Sequence, residues 1–276
     1  MASANPTSRK LQVTHVSEHR LMLIMAHPDD AEFAAGGLMS FWHQAGYALK
    51  ILCLTNGNAG HHELDRATLA ARRYEEARQA AALVNAEIEI WPQDDGRLVP
   101  SVELREQLIA AIRVYAPSVI VTHRTADYHP DHRATAQLVK DSAYLLQVPA
   151  IAPEQQPLMS LPSILLTFDR FDEPRPFRLD WVIDTEAVQT QIIDLLACHA
   201  SQVFEWLPSL SADADTGRPF DKAWLTEFYQ RKPAAVAKQV RSANPTGSSL
   251  RFAEAFEVSD YGGPFDRSHF DFLPNR

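Results

Sequence analysis

LMLIMAHPDDAEFAAGG, residues 21–37, is the stretch around which the chain is organised. Leu21 to Ala26 is a continuous apolar run of strand length without alternation, the pattern of a strand covered on both faces inside a parallel sheet. It breaks into His27, Pro28, Asp29 and Asp30, and helical character resumes through Gly36, Gly37, Leu38 and Phe41. In open α/β sheets ligands bind at the carboxyl ends of the strands, so chemistry is expected at this turn. A histidine and a carboxylate three residues apart on a tight turn, here His27 and Asp30, can both reach one divalent ion, with Pro28 fixing the backbone between them.

Two such groups do not complete a site. The comparable cluster is His123-Arg124-Thr125-Ala126-Asp127-Tyr128-His129-Pro130-Asp131-His132, which follows the short strand-like run Pro117 to Thr122. Both clusters sit at a strand's carboxyl end, where a parallel sheet could bring them together.

Outward from these two turns, strands and helices alternate. Tyr47 to Leu54 reads as a second strand, Leu64 to Val84 as a long helix rich in Ala, Arg and Glu, and Ala86 to Trp91 as a third strand closed by Pro92. Val102 to Tyr115 is a third helix and His132 to Gln147 a fourth, with Asp131 as its expected cap. The alternation through residue 147 predicts a doubly wound, mostly parallel α/β sheet of Rossmann-like type. Pro149 to Pro162 breaks the pattern as a loop. Beyond it lies an elaborated C-terminal part: strands at 163–168, 181–183 and 252–258, and helices at 185–200 and 223–240. A polar segment over 209–218 separates the two helices, and Pro233 should kink or interrupt the second. The expected organisation is a flexible tail over residues 1–19, then one domain over 20–276 with a core at 20–147 and a specificity region at 148–276.

The formal charge of −9 over 276 residues argues against nucleic acid or an anionic membrane as the main partner, because phosphate contacts need a surplus of Lys and Arg. Cys53 and Cys198 give neither a disulfide framework nor a CxxC knuckle, which points to a reducing compartment. Residues 1–20 lack the apolar core of a signal peptide, and no apolar run is long enough to span a membrane, so a cytoplasmic protein is expected. Gly36-Gly37 is not the GxGxxG fingerprint of a dinucleotide site.

AHPDDAEFAAGG, the later DYHPDHRATAQLV and the helical ARRYEEARQAA together resemble the LmbE/PIG-L family of metal-dependent de-N-acetylases, which act on N-acetylglucosamine conjugates. The resemblance covers roughly residues 20–147, with weaker echoes at Cys198 to Gln202 and Ala253 to Phe256. HPDD paired with HPDH is the specific part of the signal. By this resemblance the fold is LmbE-like and the cofactor Zn2+, with Fe2+ a chemically reasonable substitute at a His/Asp/His site. His27, Asp30 and His132 would be the ligands, an open three-ligand set of the kind a catalytic zinc needs. Asp29 would be the general base, His129 the donor to the developing oxyanion, and Asp131 the group that orients His129. The family also places an Arg of the long helix and an Asp after the third strand near the sugar; Arg73, in an R-x-x-E pattern with Glu76, and Asp95, followed by Gly96, fit those places. Tyr128 could close over the substrate. Where many members have Glu directly after the paired aspartates, this chain has Ala31, with Glu32 next.

The expected function is thus removal of an acetyl group from the amide nitrogen of an amino sugar, a small-molecule substrate, with a homo-oligomer left open. Two other readings share the residues: a metal-dependent amidohydrolase for a non-sugar N-acyl substrate, and a non-catalytic sugar-binding protein of the same fold. Taken one at a time, Asp95-Gly96 also fits a plain turn, Arg73 an exposed helix charge, His123 a strand-end residue bonded to backbone, and His199 a structural histidine.

Overall fold

The computed structural model describes residues 19–211, 214, 217–243 and 249–273. The tail expected over residues 1–19 lies outside them apart from His19, whose ring stacks on Tyr47 with centroids 4.1 Å apart. Seven strands form one sheet in the order β3-β2-β1-β4-β5-β7-β6. They are β1 (Arg20–Met25), β2 (Ala48–Thr55), β3 (Glu87–Gln93), β4 (Val119–Thr122), β5 (Ser163–Thr167), β6 (Trp181–Asp184) and β7 (Ala253–Val258). β1 to β5 pair in parallel, whereas β7 is antiparallel to both β5 and β6. The sheet is the mostly parallel α/β arrangement expected.

β1 is central because both its faces are apolar. Leu21, Leu23 and Met25 pack into one core with Leu38, Met39 and Trp42 and with Ile192, Leu195 and Leu196. Met22 and Ile24 enter the other, with Leu108, Ile109, Ile112, Leu138 and Val139. All five strand residues are fully buried, at about 1.5–3 kcal/mol each of hydrophobic stabilisation.

The order has a consequence for the site. The chain leaves β1 toward β2 and β3 on one side, then returns to place β4 on the other. Strand order therefore reverses between β1 and β4, the place where open α/β sheets leave a crevice. Ile24 lies opposite Thr122, and the Thr122 hydroxyl donates to the Ile24 carbonyl at 2.8 Å. His27 and the segment after Thr122 thus leave the sheet side by side.

The helices start where the side chains allow. α1 (Asp30–Gln44) leaves helical geometry at Ala35, with φ −146° and ψ 24°. α2 (Arg66–Leu83) is capped by Asp65, which accepts from the amides of Ala67 and Thr68, and α3 (Val102–Tyr115) by Ser101, which accepts from Leu104. α4 (Pro130–Ser142) corrects an expectation: its cap is His129, whose side chain accepts from the Asp131 amide, and not Asp131. Pro130 sits at the start of the helix, where its missing N–H costs nothing, and this moves the cap one residue upstream of Pro130.

After β5 the helical content is α5 (Gln189–Ala197), a π-helical turn over Ser201–Trp206 running into the short α6 (Leu207–Ser209), and α7 (Lys222–Ala243). Pro233 lies inside α7 without interrupting it, because packing of Tyr229, Val236 and Ala237 holds both halves in place. The segment expected to be helical over 185–200 is shorter, a 3-10 turn and α5. Part of the polar segment at 209–218 lies outside the described residues. The proline-rich loop after residue 148 is tied down by buried Arg113, whose guanidinium donates to carbonyls that include Leu146, Val148 and Ile151. Both cysteines are free, and among the described residues no helix is long and apolar enough to cross a membrane.

Candidate metal centre

At the carboxyl ends of β1 and β4 the two polar turns meet. His27 Nδ1 lies 3.2 Å from an Asp30 carboxylate oxygen and 3.2 Å from His132 Nε2, and His132 Nε2 lies 3.2 Å from the other Asp30 oxygen. Two ligands at the usual zinc distances, tetrahedrally disposed, stand roughly 3.3 Å apart. The spacing is that of one cation's first coordination sphere.

Each imidazole is oriented from behind. His27 Nε2 faces Asp95 Oδ1 at 3.2 Å and Asp131 Oδ2 at 3.3 Å, and His132 Nδ1 faces Asp127 Oδ1 at 2.9 Å. Carboxylates at those nitrogens fix the tautomers with the hydrogen outward and leave His27 Nδ1 and His132 Nε2 with lone pairs turned toward each other and Asp30. Without a cation that arrangement calls for protons. Burial opposes charge on His132, but Asp30 and Asp127 outweigh it and raise its pKa to about 9. Burial likewise opposes charge on His27, yet Asp30, Asp131 and Asp95 raise it well above the usual value. A divalent ion satisfies the same demand, and the donor set fits one. Three of the nine expected site residues, His27, Asp30 and His132, thus lie together at one point.

Asp29 stands beside this trio. Its φ of 125° and ψ of −23° are rare for any residue other than glycine, and the strain sits at the turn where the chemistry is expected. Arg73 holds the turn: its guanidinium donates to the Pro28 carbonyl at 2.5 Å and the Gly57 carbonyl at 2.9 Å, and lies 3.1 Å from Asp29 Oδ1. Arg73 is only 3% exposed, which removes the reading of a solvated helix charge. Its partner is not Glu76, which instead takes Arg72 Nε at 3.0 Å and the Ser201 hydroxyl at 2.6 Å. Burial pushes the Asp29 carboxyl up to about 6, against the pull of Arg73.

The second motif departs from expectation at one residue. The Asp131 carboxylate does not face His129; it accepts from the amides of Gly96 (2.6 Å) and Leu98 (3.2 Å) and meets His27. Asp131 therefore orients a candidate ligand. His129 packs edge-on to His27 with centroids 4.5 Å apart, and Asp95 Oδ1 is 3.9 Å from its Nε2. Asp95, expected near the sugar, is buried against His27 and lines the same cavity. Tyr128 stands 72% exposed at the mouth, its ring 5.3 Å from that of His132.

Asp127 was missed as a site residue, although it lies within the second cluster. Its Oδ1 accepts from the His129 amide at 2.9 Å, an Asx-type turn, and that turn was the legible signal. His123 is bonded to backbone, accepting from the Ala26 amide at 3.1 Å, and buried His199 pairs with Glu32 at 3.4 Å. A cavity of about 650 Å³ opens onto the centre, lined by Asp29, Asp30, His129, Phe33, Trp206 and Phe228 among others.

Residues 22–143 match the family described as GlcNAc-PI de-N-acetylase (PIG-L), as the two motifs led us to expect. A 4-oxalmesaconate hydratase of Pseudomonas putida is 23% identical over 215 residues, 74% of this chain and 81% of that one. A diacetylchitobiose deacetylase of Thermococcus kodakarensis is 28% identical over 120 residues, 41% of this chain and 45% of that one. Among solved structures, the N,N'-diacetylchitobiose deacetylase from Pyrococcus horikoshii superposes with a TM-score of 0.71 at 21% identity, covering 88% of this chain and 84% of that one, which shows a shared fold.

Proposed function

Proceeding from a PIG-L-type domain at residues 22–143, we propose that the protein is a zinc-dependent hydrolase that removes an acetyl group from the amide nitrogen of an N-acetylglucosamine-type sugar. The observation that carries this reading is a carboxylate, Asp29, tuned to about 6 and clamped by Arg73 beside a three-ligand cluster at the floor of a sugar-sized cavity. A divalent ion between His27, Asp30 and His132 would polarise the acyl carbonyl and bring a water's pKa toward neutrality. Zinc suits two imidazoles and a carboxylate, and Fe(II) is the alternative the same donors admit.

The chain's own residues do the rest. Asp29 takes the proton of the attacking water and, once protonated, is placed to return it to the leaving amine. His129 Nδ1 accepts from the Asp131 amide at 3.2 Å, so the neutral ring carries its hydrogen on Nε2. Burial lowers the His129 pKa, which keeps that ring neutral and leaves Nε2–H as a donor toward the developing oxyanion. Arg73 and the Gly57 carbonyl keep Asp29 in its strained conformation, and Trp206 and Phe228 offer apolar faces to a sugar ring.

Acetate release from N-acetylglucosamine, N,N'-diacetylchitobiose and a simple N-acetylated amine, with chelated and zinc-restored protein, tests the proposal. Zinc-dependent acetate release from a sugar supports it, and release from the simple amine alone redirects it to a non-sugar amidohydrolase. A zinc-loaded protein inert toward every N-acetyl compound overturns it. A second reading is favoured by the hydratase relative, which aligns over 74% of this chain: the same base and cation could add water across a carbon–carbon double bond. Consumption of 4-oxalmesaconate without acetate release would identify that reaction.

A further inference from the structure

The charges lining the cavity divide by whether they have a partner. The acids come from the turns after β1, β3, β4 and β5, and each is already engaged: Asp29 with Arg73, Asp30 and Asp95 with His27, Asp127 with His132, and Asp169 with Arg124 at 2.8 Å. Three further cations line it besides Arg73. Arg170 follows β5, and Arg231 and Lys232 stand on α7. Among the described residues none of these three makes a hydrogen bond or ion pair with a carboxylate, although Lys232 feels the charges of Glu254, Asp127, Asp30 and Asp169. In a chain of formal charge −9, three cations lining one cavity without a hydrogen-bonded or ion-paired carboxylate are not explained by solvation of the surface.

We infer that these three side chains form a subsite for an anionic substituent of the substrate, a carboxylate or a phosphomonoester, carried at the end remote from the bond that reacts. Lys232 is half-buried on α7 and supplies a point charge inside the cavity. Arg170 and Arg231 are exposed at its rim and offer planar forks for oxygen pairs. A neutral amino sugar would leave these three cations unused. The inference goes with either reaction proposed for the site, since it concerns the part of the substrate that does not react.

Calorimetric titration of the zinc-loaded protein with succinate and with glycerol 3-phosphate reads the subsite without any turnover, so a failure of the deacetylase reading leaves this test intact. The two ligands separate the carboxylate and phosphomonoester sources. At least one should bind, weakening by roughly tenfold or more in Lys232→Met and in the exposed pair Arg170→Gln/Arg231→Gln, while Lys232→Arg stays close to the parent. Zinc content and circular dichroism should match the parent in all variants, and the exposed pair preserves the test if Lys232→Met folds poorly. Absence of binding by both anions, or equal binding in parent and variants as expected for an anion held by the metal alone, would overturn the inference.

Discussion

At the scale of single residues the site divides into groups that hold and a group that acts. In the proposed mechanism Asp29 is the latter, so Asp29→Ala should lower turnover by about 10²–10⁴-fold, the usual contribution of a general base. Zinc content should be unchanged, because no ligand is removed; metal analysis beside a steady-state assay checks both. Asp131 and Asp127 hold, each behind one histidine. Asp131→Ala or Asp127→Ala should weaken zinc binding by about 10–100-fold, measured by competition with a chromophoric chelator. An Asp131 variant that keeps zinc affinity and loses only turnover would restore the His129-orienting role that the geometry removes. The ligand candidates were legible in the sequence because His27 and Asp30 lie three apart and HPDH repeats their chemistry. The direction in which Asp131 points was not legible, since its partners Gly96 and His27 lie 35 and 104 residues away.

At the scale of elements, α1 shows how the fold secures the turn that carries Asp29. Where Ala35 leaves helical geometry, the amides of Gly37 and Leu38 are taken by the Glu254 carboxylate of β7 at 2.6 and 3.0 Å. Gly37 has no room for more: a Cβ there would meet Thr185 Cγ2 at 2.4 Å and Glu254 Oε1 at 2.9 Å. Gly37→Ala should therefore destabilise the protein by about 1–3 kcal/mol in urea unfolding. Burial raises the Glu254 carboxyl to about 7, although the two amides pull it down. The folded state thus binds this proton more tightly than the unfolded chain, whose carboxyl titrates near the ordinary 4.5. The contribution is most favourable below that value and is lost as pH rises toward 7. Glu254→Gln lacks this loss, so its stability relative to the parent should improve between pH 5 and pH 8, read from unfolding midpoints at both. A gap that is constant with pH would show Glu254 ionised throughout. The paired glycines were visible in the sequence, and their reason was not, because it lies 217 residues downstream. Local pattern did place the α3 boundaries at Val102 and Tyr115, where Ser101 supplies the cap and nothing distant competes. It placed the α4 cap wrongly, where a histidine took the role of an aspartate needed elsewhere.

For the whole molecule, function follows from one topological fact, the reversal of strand order beside β1. A continuous apolar run and a second one near residue 120 suggested that two polar turns would share an edge, and the pairing of Ile24 with Thr122 delivers it. That Arg231 and Lys232 of α7 line the cavity could not be read in advance, because nothing local tells a helix surface from a cavity lining. The central claim is that both turns ligate one cation, and zinc stoichiometry measured by plasma emission on the parent, His27→Ala and His132→Ala tests it most directly. One tightly held ion per chain is expected in the parent and its loss in either variant, although the two residues come from motifs 105 positions apart. Retention of a full equivalent of zinc by either variant would contradict it.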